Sequence, residues 1–306
     1  MTETRWKNFL VTGATGFQSS AVAKLLISHG HAVRGFARRG NNGAGVAPEG
    51  TEMVLGDLAD RESVLRAFDG ITHASVVIPL AYNREIVLSY ARNIADAARH
   101  AGVERLVYNT NTPIPDVPTR YAGFETRREA ESILRKSGVP TVVLSPPVYL
   151  DNLFSPWNGP GLVNEGILAY PLPAEHRVSW LSHADLAKAT VAALEHEGLD
   201  GEAIPLGGPQ ALTGHELADQ FARGLGRDVR YLPLEVEQFE SGLARMVGNE
   251  AAAGVAGIYH HVSGGRAQDL LTVDAAALQR KLGIRLTPTV DWVARQPWQQ
   301  WSTVGA

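Results

Sequence analysis

A glycine-rich turn directly after the first apolar segment constrains the fold of this chain more than any other feature. Phe9-Leu10-Val11 runs into Thr12-Gly13-Ala14-Thr15-Gly16-Phe17-Gln18, and a helical pattern follows. Glycines let the backbone approach an anion closely, and the unpaired N–H groups and dipole of the next helix favour negative charge. In this strand-turn-helix context the pattern predicts a dinucleotide-binding turn; a plain tight turn is the alternative.

Apolar segments alternate with helical patterns through the first half of the chain. We expect strands over 9–11, 32–37, 52–55, 73–78, 105–109 and 141–145. Helices are expected over 20–29, 84–101 and 125–136, with a further one capped by Asp60 and ending at Phe68. This alternation predicts an α/β fold: a Rossmann-type doubly wound parallel sheet.

Proline and glycine cluster after Pro146, and helical patterns return at 185–196, 215–225, 236–246 and 274–282. We therefore expect a smaller, mostly helical C-terminal substrate region. The predicted division is a dinucleotide-binding Rossmann domain over 1–150, to which later segments can return, and a substrate-binding cap over 151–306.

Composition excludes several classes of function. The net charge of −4 argues against a nucleic-acid surface, which needs a basic excess or stripe. The absence of cysteine removes thiolate nucleophiles and disulfides and fits a reducing compartment. Because no apolar run approaches the length of a membrane span and no signal peptide is visible, we expect a cytoplasmic protein without a membrane partner.

Basic residues after the second predicted strand indicate which dinucleotide binds. An arginine suits the 2′-phosphate of NADP, whereas a carboxylate there would accept the ribose hydroxyl of NAD. Arg38 is the better candidate, and Arg39 the second; solvated surface arginines are the alternative. Asp57 and Leu58, after the third strand, are placed to border the adenine, although Asp57 could equally be a helix cap.

The chain resembles the NmrA-like family, atypical short-chain dehydrogenase/reductases that include isoflavone-reductase-like and quinone-reductase-like enzymes. The stretches that carry the resemblance occur in family order: Val11-Thr-Gly-Ala-Thr-Gly-Phe-Gln18, Gly56-Asp-Leu58, Ala95-Asp-Ala-Ala-Arg-His-Ala-Gly-Val103, Leu106-Val-Tyr-Asn109, Phe124-Glu-Thr-Arg-Arg-Glu-Ala-Glu131, Leu144-Ser-Pro-Pro-Val-Tyr-Leu-Asp-Asn152 and Ala184-Asp-Leu-Ala187. A weaker similarity continues towards Trp292. One departure is Ser19, which stands where a third glycine often allows close packing of the helix on the strand.

The resemblance implies a Rossmann domain that binds NADP(H), with a substrate cleft beside a small C-terminal domain. It places at the pyrophosphate Gly13, Thr15, Gly16, Phe17 and Gln18, and at the 2′-phosphate Arg38. Around the nicotinamide ribose it places Ile78, Pro79, Asn109 and Thr110. Beside the nicotinamide it places Pro146, Val148 and Tyr149, with Asn152 at the cleft.

The resemblance also identifies the positions of a Tyr-x-x-x-Lys pair, and both are changed. Gly123 stands at the tyrosine position and Arg127 at the lysine position. Arg127 can hold a ribose but cannot relay a proton, because the pKa of a guanidinium is too high; a surface arginine is the alternative. Tyr121 is a candidate substitute donor, although a loop tyrosine without a catalytic role is the more ordinary interpretation.

Further aromatic and polar residues are candidates for a substrate pocket: Tyr82, Tyr149, Asn152, Phe154, Trp157, His176 and His260. Each taken singly is more often ordinary packing. His260-His261 is not a convincing metal site, and no metal is expected. The sequence favours an NADPH-dependent reductase of a small, aromatic, quinone-like or enone substrate. A non-catalytic NADP(H)-sensing regulator and a non-redox enzyme on the same fold are the alternatives.

Overall fold

The computed structural model describes residues 7–38, 46–265, 267 and 269–302. Within them the strands are β1 (Asn8–Thr12), β2 (Ala32–Ala37), β3 (Thr51–Leu55), β4 (His73–Val77), β5 (Arg105–Asn109), β6 (Thr141–Ser145), β7 (Ile167–Tyr170), β8 (Ala203–Pro205) and β9 (Arg230–Pro233). The helices are α1 (Phe17–Ser28), α2 (Arg61–Phe68), α3 (Arg84–Ala101), α4 (Ala122–Arg135), α5 (Gly159–Glu165), α6 (His183–Glu195), α7 (Gly214–Leu225), α8 (Val236–Val247), α9 (Asn249–Ser263), α10 (Ala275–Leu282) and α11 (Thr289–Arg295).

The main sheet has seven strands in the order β3-β2-β1-β4-β5-β6-β8, and β1 pairs in parallel with both β2 and β4. The chain leaves β1 towards β2 and β3 and then returns to the other side of β1 with β4. The strand order therefore reverses between β1 and β4, and in open α/β sheets ligands bind outside the carboxyl ends of the strands at this switch point. The predicted Rossmann-type α/β fold is confirmed.

The described chain divides into two compact units. The first comprises the chain up to Asn111 together with Glu125–Ser145 and Leu186–Ile204. An apolar core cluster of this unit contains residues of the sheet and of helices α2, α3 and α4, among them Leu10 of β1, Ile94 of α3 and Leu134 of α4, all fully buried. Predicted and observed bounds agree closely here: β2, α3, β5 and β6 coincide, and α2 begins after Asp60, whose side chain accepts from the Glu62 N–H.

The second unit comprises Thr112–Phe124, Pro146–Asp185 and the chain from Pro205 onwards. It is mostly helical, as predicted, with a small parallel pair of strands, β7 and β9. Its core is rich in aromatic side chains, including Tyr170, Phe221 and Trp292. The sequence analysis did not predict β7, β8, β9, α5, α9 or α11. No helix in the described ranges is both long and apolar enough to cross a membrane.

Candidate functional site

The glycine turn between β1 and α1 is folded tightly against β2. Gly13 has a φ of 64°, a left-handed conformation that favours glycine, and its N–H donates to the carbonyl of Phe36 at 2.7 Å. The N–H of Gly16 then donates to the carbonyl of Gly13 at 2.7 Å. Gly16 is the N-cap of α1, so the turn delivers the start of the helix to the carboxyl end of β1.

The first turn of α1 suits an anion because nothing acidic occupies it. Gly16 provides no side-chain cap, and α1 has no acidic residue in its first turn. By contrast, the N-caps of α2, α3, α7 and α10 accept hydrogen bonds through their side chains: Asp60, Asn83, Thr213 and Asp274. The positive end of the α1 dipole is therefore left without a neutralising carboxylate.

A hydrogen-bonded network joins this helix end to the ends of the neighbouring strands. Nδ2 of Asn109 donates to Oε1 of Gln18 at 3.1 Å, and Oδ1 of Asn109 accepts from the Asn111 N–H at 2.8 Å. Nδ2 of Asn111 donates to the carbonyl of Ile78 at 3.0 Å, after β4. Thr110 donates through its hydroxyl to the carbonyl of Leu144 at 3.1 Å. The structure thus brings together residues that the sequence analysis assigned to the pyrophosphate and to the ribose.

Asn111 is a residue of this network that the sequence analysis missed. Its φ of 63° is left-handed, and its Oδ1 is buried without a hydrogen-bond partner. Such a conformation is uncommon outside glycine, although asparagine adopts it more readily than most residues, and it often marks functional sites. The run Asn109-Thr110-Asn111 directly after β5 is the signal that could have suggested it.

The residues proposed for the adenosine half lie at the ends of β2 and β3. Arg38 directly follows β2 and is exposed, whereas Arg39 lies outside the described residues. Asp57 accepts the Ala59 N–H at 2.9 Å, and Leu58 is buried in the core of the first unit. Burial raises the pKa of Tyr90 on α3, with the Asp57 carboxylate adding to the shift and Arg38 opposing it. The charges of Arg38 and Asp57 therefore act in opposite directions on the Tyr90 hydroxyl.

Arg127, at the family's lysine position, is the largest fully buried side chain of the described residues, 1% exposed. Its Nη1 donates to the carbonyl of Ala81 at 2.7 Å and its Nη2 to the carbonyl of Pro79 at 3.1 Å. The guanidinium also lies 4.9 Å from the centroid of the Tyr82 ring, and burial raises the Tyr82 pKa while this cation opposes the shift. Arg127 therefore holds the segment that follows β4; a direct contact with the ribose stays a prediction.

Gly123, at the family's tyrosine position, packs against α9 in the second unit. A Cβ atom on Gly123 would lie 2.7 Å from the carbonyl oxygen of Gly254. One turn further along α9, a Cβ atom on Gly257 would lie 2.9 Å from a ring carbon of Tyr121. Tyr121 itself accepts a hydrogen bond from Arg120 at 3.1 Å. Backbone of α9 thus fills the space that a side chain at position 123 would need.

The residues proposed for the nicotinamide lie after β6, in the second unit. Pro146 and Val148 are buried, and the Val148 carbonyl accepts from the Leu181 N–H at 2.9 Å. The Tyr149 ring packs edge-on against His183, with ring centroids 4.8 Å apart. Burial lowers the pKa of His183, and the nearby Asp151 carboxylate opposes the shift. His183 was not predicted, and a histidine at a helix start carries no signal of this contact.

The remaining substrate candidates divide into packing residues and a polar network. Phe154 packs on Trp298 with ring centroids 4.9 Å apart, and Trp157 packs on Phe239 at 5.8 Å. His260 lies 3.9 Å from a carboxylate oxygen of Glu237. Phe154, Trp157 and His260 therefore each contact other residues of the second unit.

Asn152 belongs to the polar network, since its Nδ2 donates to the Tyr170 hydroxyl at 3.1 Å. The hydroxyls of Tyr170 and Tyr259 are 2.6 Å apart, and both residues are buried. Nε2 of His176 is buried without a hydrogen-bond partner; burial lowers its pKa, with Asp269 opposing. Tyr170 was not among the predicted residues; it ends the four-residue strand β7, which the apolar pattern did not reveal.

A parallel sheet with its switch point beside a glycine turn and a helix N-terminus defines the Rossmann class of nucleotide-binding folds. Residues 6–282 match the model of the NmrA-like family, and the chain belongs to that family. It is 33% identical over 236 residues to a (4-alkanoyl-5-oxo-2,5-dihydrofuran-3-yl)methyl phosphate reductase of Streptomyces griseus, covering 76% of this chain and 79% of that protein.

Two further relatives extend this comparison. The NAD(P)H azoreductase of Xenophilus azovorans is 28% identical over 238 residues, which cover 78% of this chain and 80% of that protein. The Citrobacter sp. triphenylmethane reductase, solved in complex with NADP(H), superposes with a TM-score of 0.75 at 23% identity, covering 94% of this chain and 99% of that one. The second likeness confirms the fold over nearly the whole chain.

Proposed function

We propose that this chain is an NADPH-dependent reductase of a small aromatic, quinone-like or enone molecule. The observation that carries the proposal is the glycine turn at the switch point, with the uncapped, acid-free start of α1 behind it. In this assignment the turn from Gly13 to Gln18 binds the pyrophosphate and Arg38 binds the 2′-phosphate. The reductase names of the relatives support the oxidoreductase class.

NADPH, when bound, supplies a hydride from its nicotinamide. The chain must hold the acceptor carbon about 3–3.5 Å from that hydride and provide a proton donor. In our proposal Asn109 and Asn111 fix the end of β5, while Arg127 fixes the segment after β4 through the carbonyls of Pro79 and Ala81. Arg127 thereby acts as a positioning residue rather than as a proton relay.

The glycine at position 123, where the family has a tyrosine, bears on the class of substrate that the chain can reduce. Because α9 fills the space at Gly123, a tyrosine cannot protonate a carbonyl oxygen from that position. Hydride addition to a quinone, enone or azo compound creates an anion that the conjugated system delocalises, and hydride addition to a cationic triphenylmethane dye neutralises the dye. These substrates therefore depend less on a positioned acid than a simple ketone does. This reasoning, together with the azoreductase and triphenylmethane reductase among the relatives, supports the proposed substrate class.

The same observation favours a second candidate function, a sensor of NADP(H) without turnover. A sensor needs the nucleotide site but no proton donor, and a closed tyrosine position is compatible with that role. The two candidates differ in one measurable respect. A reductase consumes NADPH in proportion to product, whereas a sensor binds the nucleotide and leaves it intact.

The deciding experiment incubates purified protein and NADPH with quinones, enones, azo dyes and triphenylmethane dyes, and follows nicotinamide absorbance and product together. We expect NADPH oxidation matched by equimolar reduced product for at least one class, and slower turnover in an Arg38→Asp variant. Binding of NADPH without oxidation across the panel would support the sensor and overturn the reductase. Oxidation that persists equally in heat-denatured protein would also count against the proposal.

A further inference from the structure

Two histidines and a glutamate converge at the far end of α1 from the glycine turn. We propose that His29, His31 and Glu195 form a binding site for a divalent transition metal of the zinc class. Their ligand atoms all lie within 4.8 Å of one another, and among the described residues no other group of three histidines and carboxylates does so. The sequence analysis expected no metal. Glu195 lies 164 positions after His31, so no local pattern joins it to the two histidines.

The fold brings these ligands together from two distant segments of the first unit. His29 is the C-cap of α1, and His31 directly precedes β2. Gly30 between them has a φ of 84°, and this left-handed turn places the two histidines beside the same carboxylate. Glu195 is the last residue of α6, 164 positions after His31.

The distances between the ligand atoms are close to those expected around a tetrahedral metal ion. Two ligands about 2.1 Å from a tetrahedral ion lie roughly 3.4 Å apart. Nδ1 of His29 lies 3.4 Å from Oε1 of Glu195, and Nε2 of His31 lies 2.7 Å from the same oxygen. The second pair is at hydrogen-bond distance, so a small rotation of the Glu195 carboxylate would exchange the hydrogen bond for metal coordination.

The ligand types and their surroundings favour a transition metal over calcium or magnesium. Imidazole nitrogens suit zinc, copper and nickel, whereas calcium and magnesium prefer oxygen. The His31 ring packs on Phe9 with centroids 4.6 Å apart, which limits its rotation before a metal arrives.

Partial exposure lets an ion enter and leaves room for water as the fourth ligand. The side chains of His29, His31 and Glu195 are 43%, 26% and 31% exposed. A metal here would join the α1–β2 turn to the end of α6 and stabilise the first unit, because it binds the folded state alone. The 12-residue helix α1 separates this site from the glycine turn by about 18 Å, so the inference is independent of the proposed function.

The test is a calorimetric titration of untagged, chelator-treated protein with Zn²⁺. We expect one tight equivalent for the native chain, and a loss of affinity of at least about tenfold in Glu195→Gln and in His29→Ala. Zn²⁺ should also raise the midpoint of thermal unfolding of the native chain and not of either variant. Circular dichroism of the metal-free variants establishes that they are folded.

The matched control is His215→Ala. His215 lies 3.9 Å from a carboxylate oxygen of Glu175 but belongs to no three-ligand group of the described residues. This variant should bind Zn²⁺ as the native chain does. A tight equivalent that survives both Glu195→Gln and His29→Ala, one that is lost in the control, or no tight equivalent in the native chain would each overturn the proposal.

Discussion

The carbonyl oxygen of Gly254 lies 2.7 Å from the position that a Cβ atom would take on Gly123. This relationship means that α4 and α9 approach each other through backbone, with no room for a side chain between them. It also gives the changed tyrosine position a physical reason. In this chain the position is a packing contact, so any proton donor must come from elsewhere.

Substitution at Gly123 should therefore damage the fold rather than restore chemistry. Gly123→Ala forces an overlap with the Gly254 carbonyl, and we expect the free energy of unfolding to fall by about 1–3 kcal/mol in urea denaturation. The control is Gly161→Ala in α5, where a Cβ meets nothing closer than 3.8 Å. That change should be neutral or stabilising, as alanine for glycine in a helix usually is. A Gly123→Ala variant as stable as the native chain would contradict this packing.

Substitution of Arg127 tests whether its hydrogen bonds stabilise the segment after β4. Arg127→Lys keeps the charge but loses the forked geometry that reaches both Pro79 and Ala81, so we expect a stability loss of about 1–3 kcal/mol. If the segment also borders the nicotinamide ribose, KM for NADPH rises more than kcat falls. Tyr82→Phe is the control, because it retains the ring under the guanidinium. Equal effects of the two substitutions would show that the carbonyl contacts contribute little.

We expect Arg38 to give the chain its preference for NADPH over NADH. A charge-assisted hydrogen bond to a phosphate contributes about 1.5–3 kcal/mol, so Arg38→Asp should weaken NADPH binding roughly ten- to a hundredfold and affect NADH far less. Fluorescence titration of both nucleotides measures the ratio. The control is Arg92→Asp, which makes the same change of charge at an exposed position of α3. A similar loss for NADPH and NADH would show that Arg38 does not contact the 2′-phosphate.

The buried tyrosines predict a loss of stability at alkaline pH. Burial raises the pKa of Tyr170 from 10.0 to about 12, and hydrogen bonds with Tyr259 and Asn152 oppose the shift. The unfolded chain thus releases this proton first, so stability is intact below pH 10 and falls as the pH rises towards 12. The loss of folding stability over this range is on the order of 3 kcal/mol.

Tyr170→Phe removes this titration and should make the alkaline loss shallower, as measured by urea denaturation across the pH range. The variant will also be less stable at neutral pH, by about 1 kcal/mol, because the 2.6 Å hydrogen bond between the Tyr170 and Tyr259 hydroxyls is lost. An unchanged alkaline slope in the variant would show that Tyr170 does not carry the effect; Tyr231, whose pKa burial also raises, would then be the next candidate.

The first unit could be predicted from sequence because its signals are local. Near-continuous apolar runs identified β2 and β5, and the helical pattern identified α3 to the residue. The second unit carried weaker signals. Helix α9 contains Gly254 and Gly257, and glycine is a poor helix former. Close packing against Gly123 and Tyr121 explains both glycines. The sequence alone does not reveal this tertiary contact.

The site shows the same limit. The glycine turn could be found because the phosphate-binding geometry is encoded in consecutive residues. The carbonyl contacts of Arg127 span 46 and 48 positions, and the left-handed Asn111 depends on a bond to Ile78 in a different loop. His31 and Glu195 are separated by 164 positions. Pairings of this kind follow from the sheet order and not from any local pattern.

The most direct test of the central claim is a titration of the purified native chain with NADPH and with NADH, followed by nicotinamide fluorescence. We predict saturable binding of one NADPH per chain, with NADH bound more weakly. Failure to bind either nucleotide would contradict the assignment of the turn from Gly13 to Gln18, and with it the proposed function.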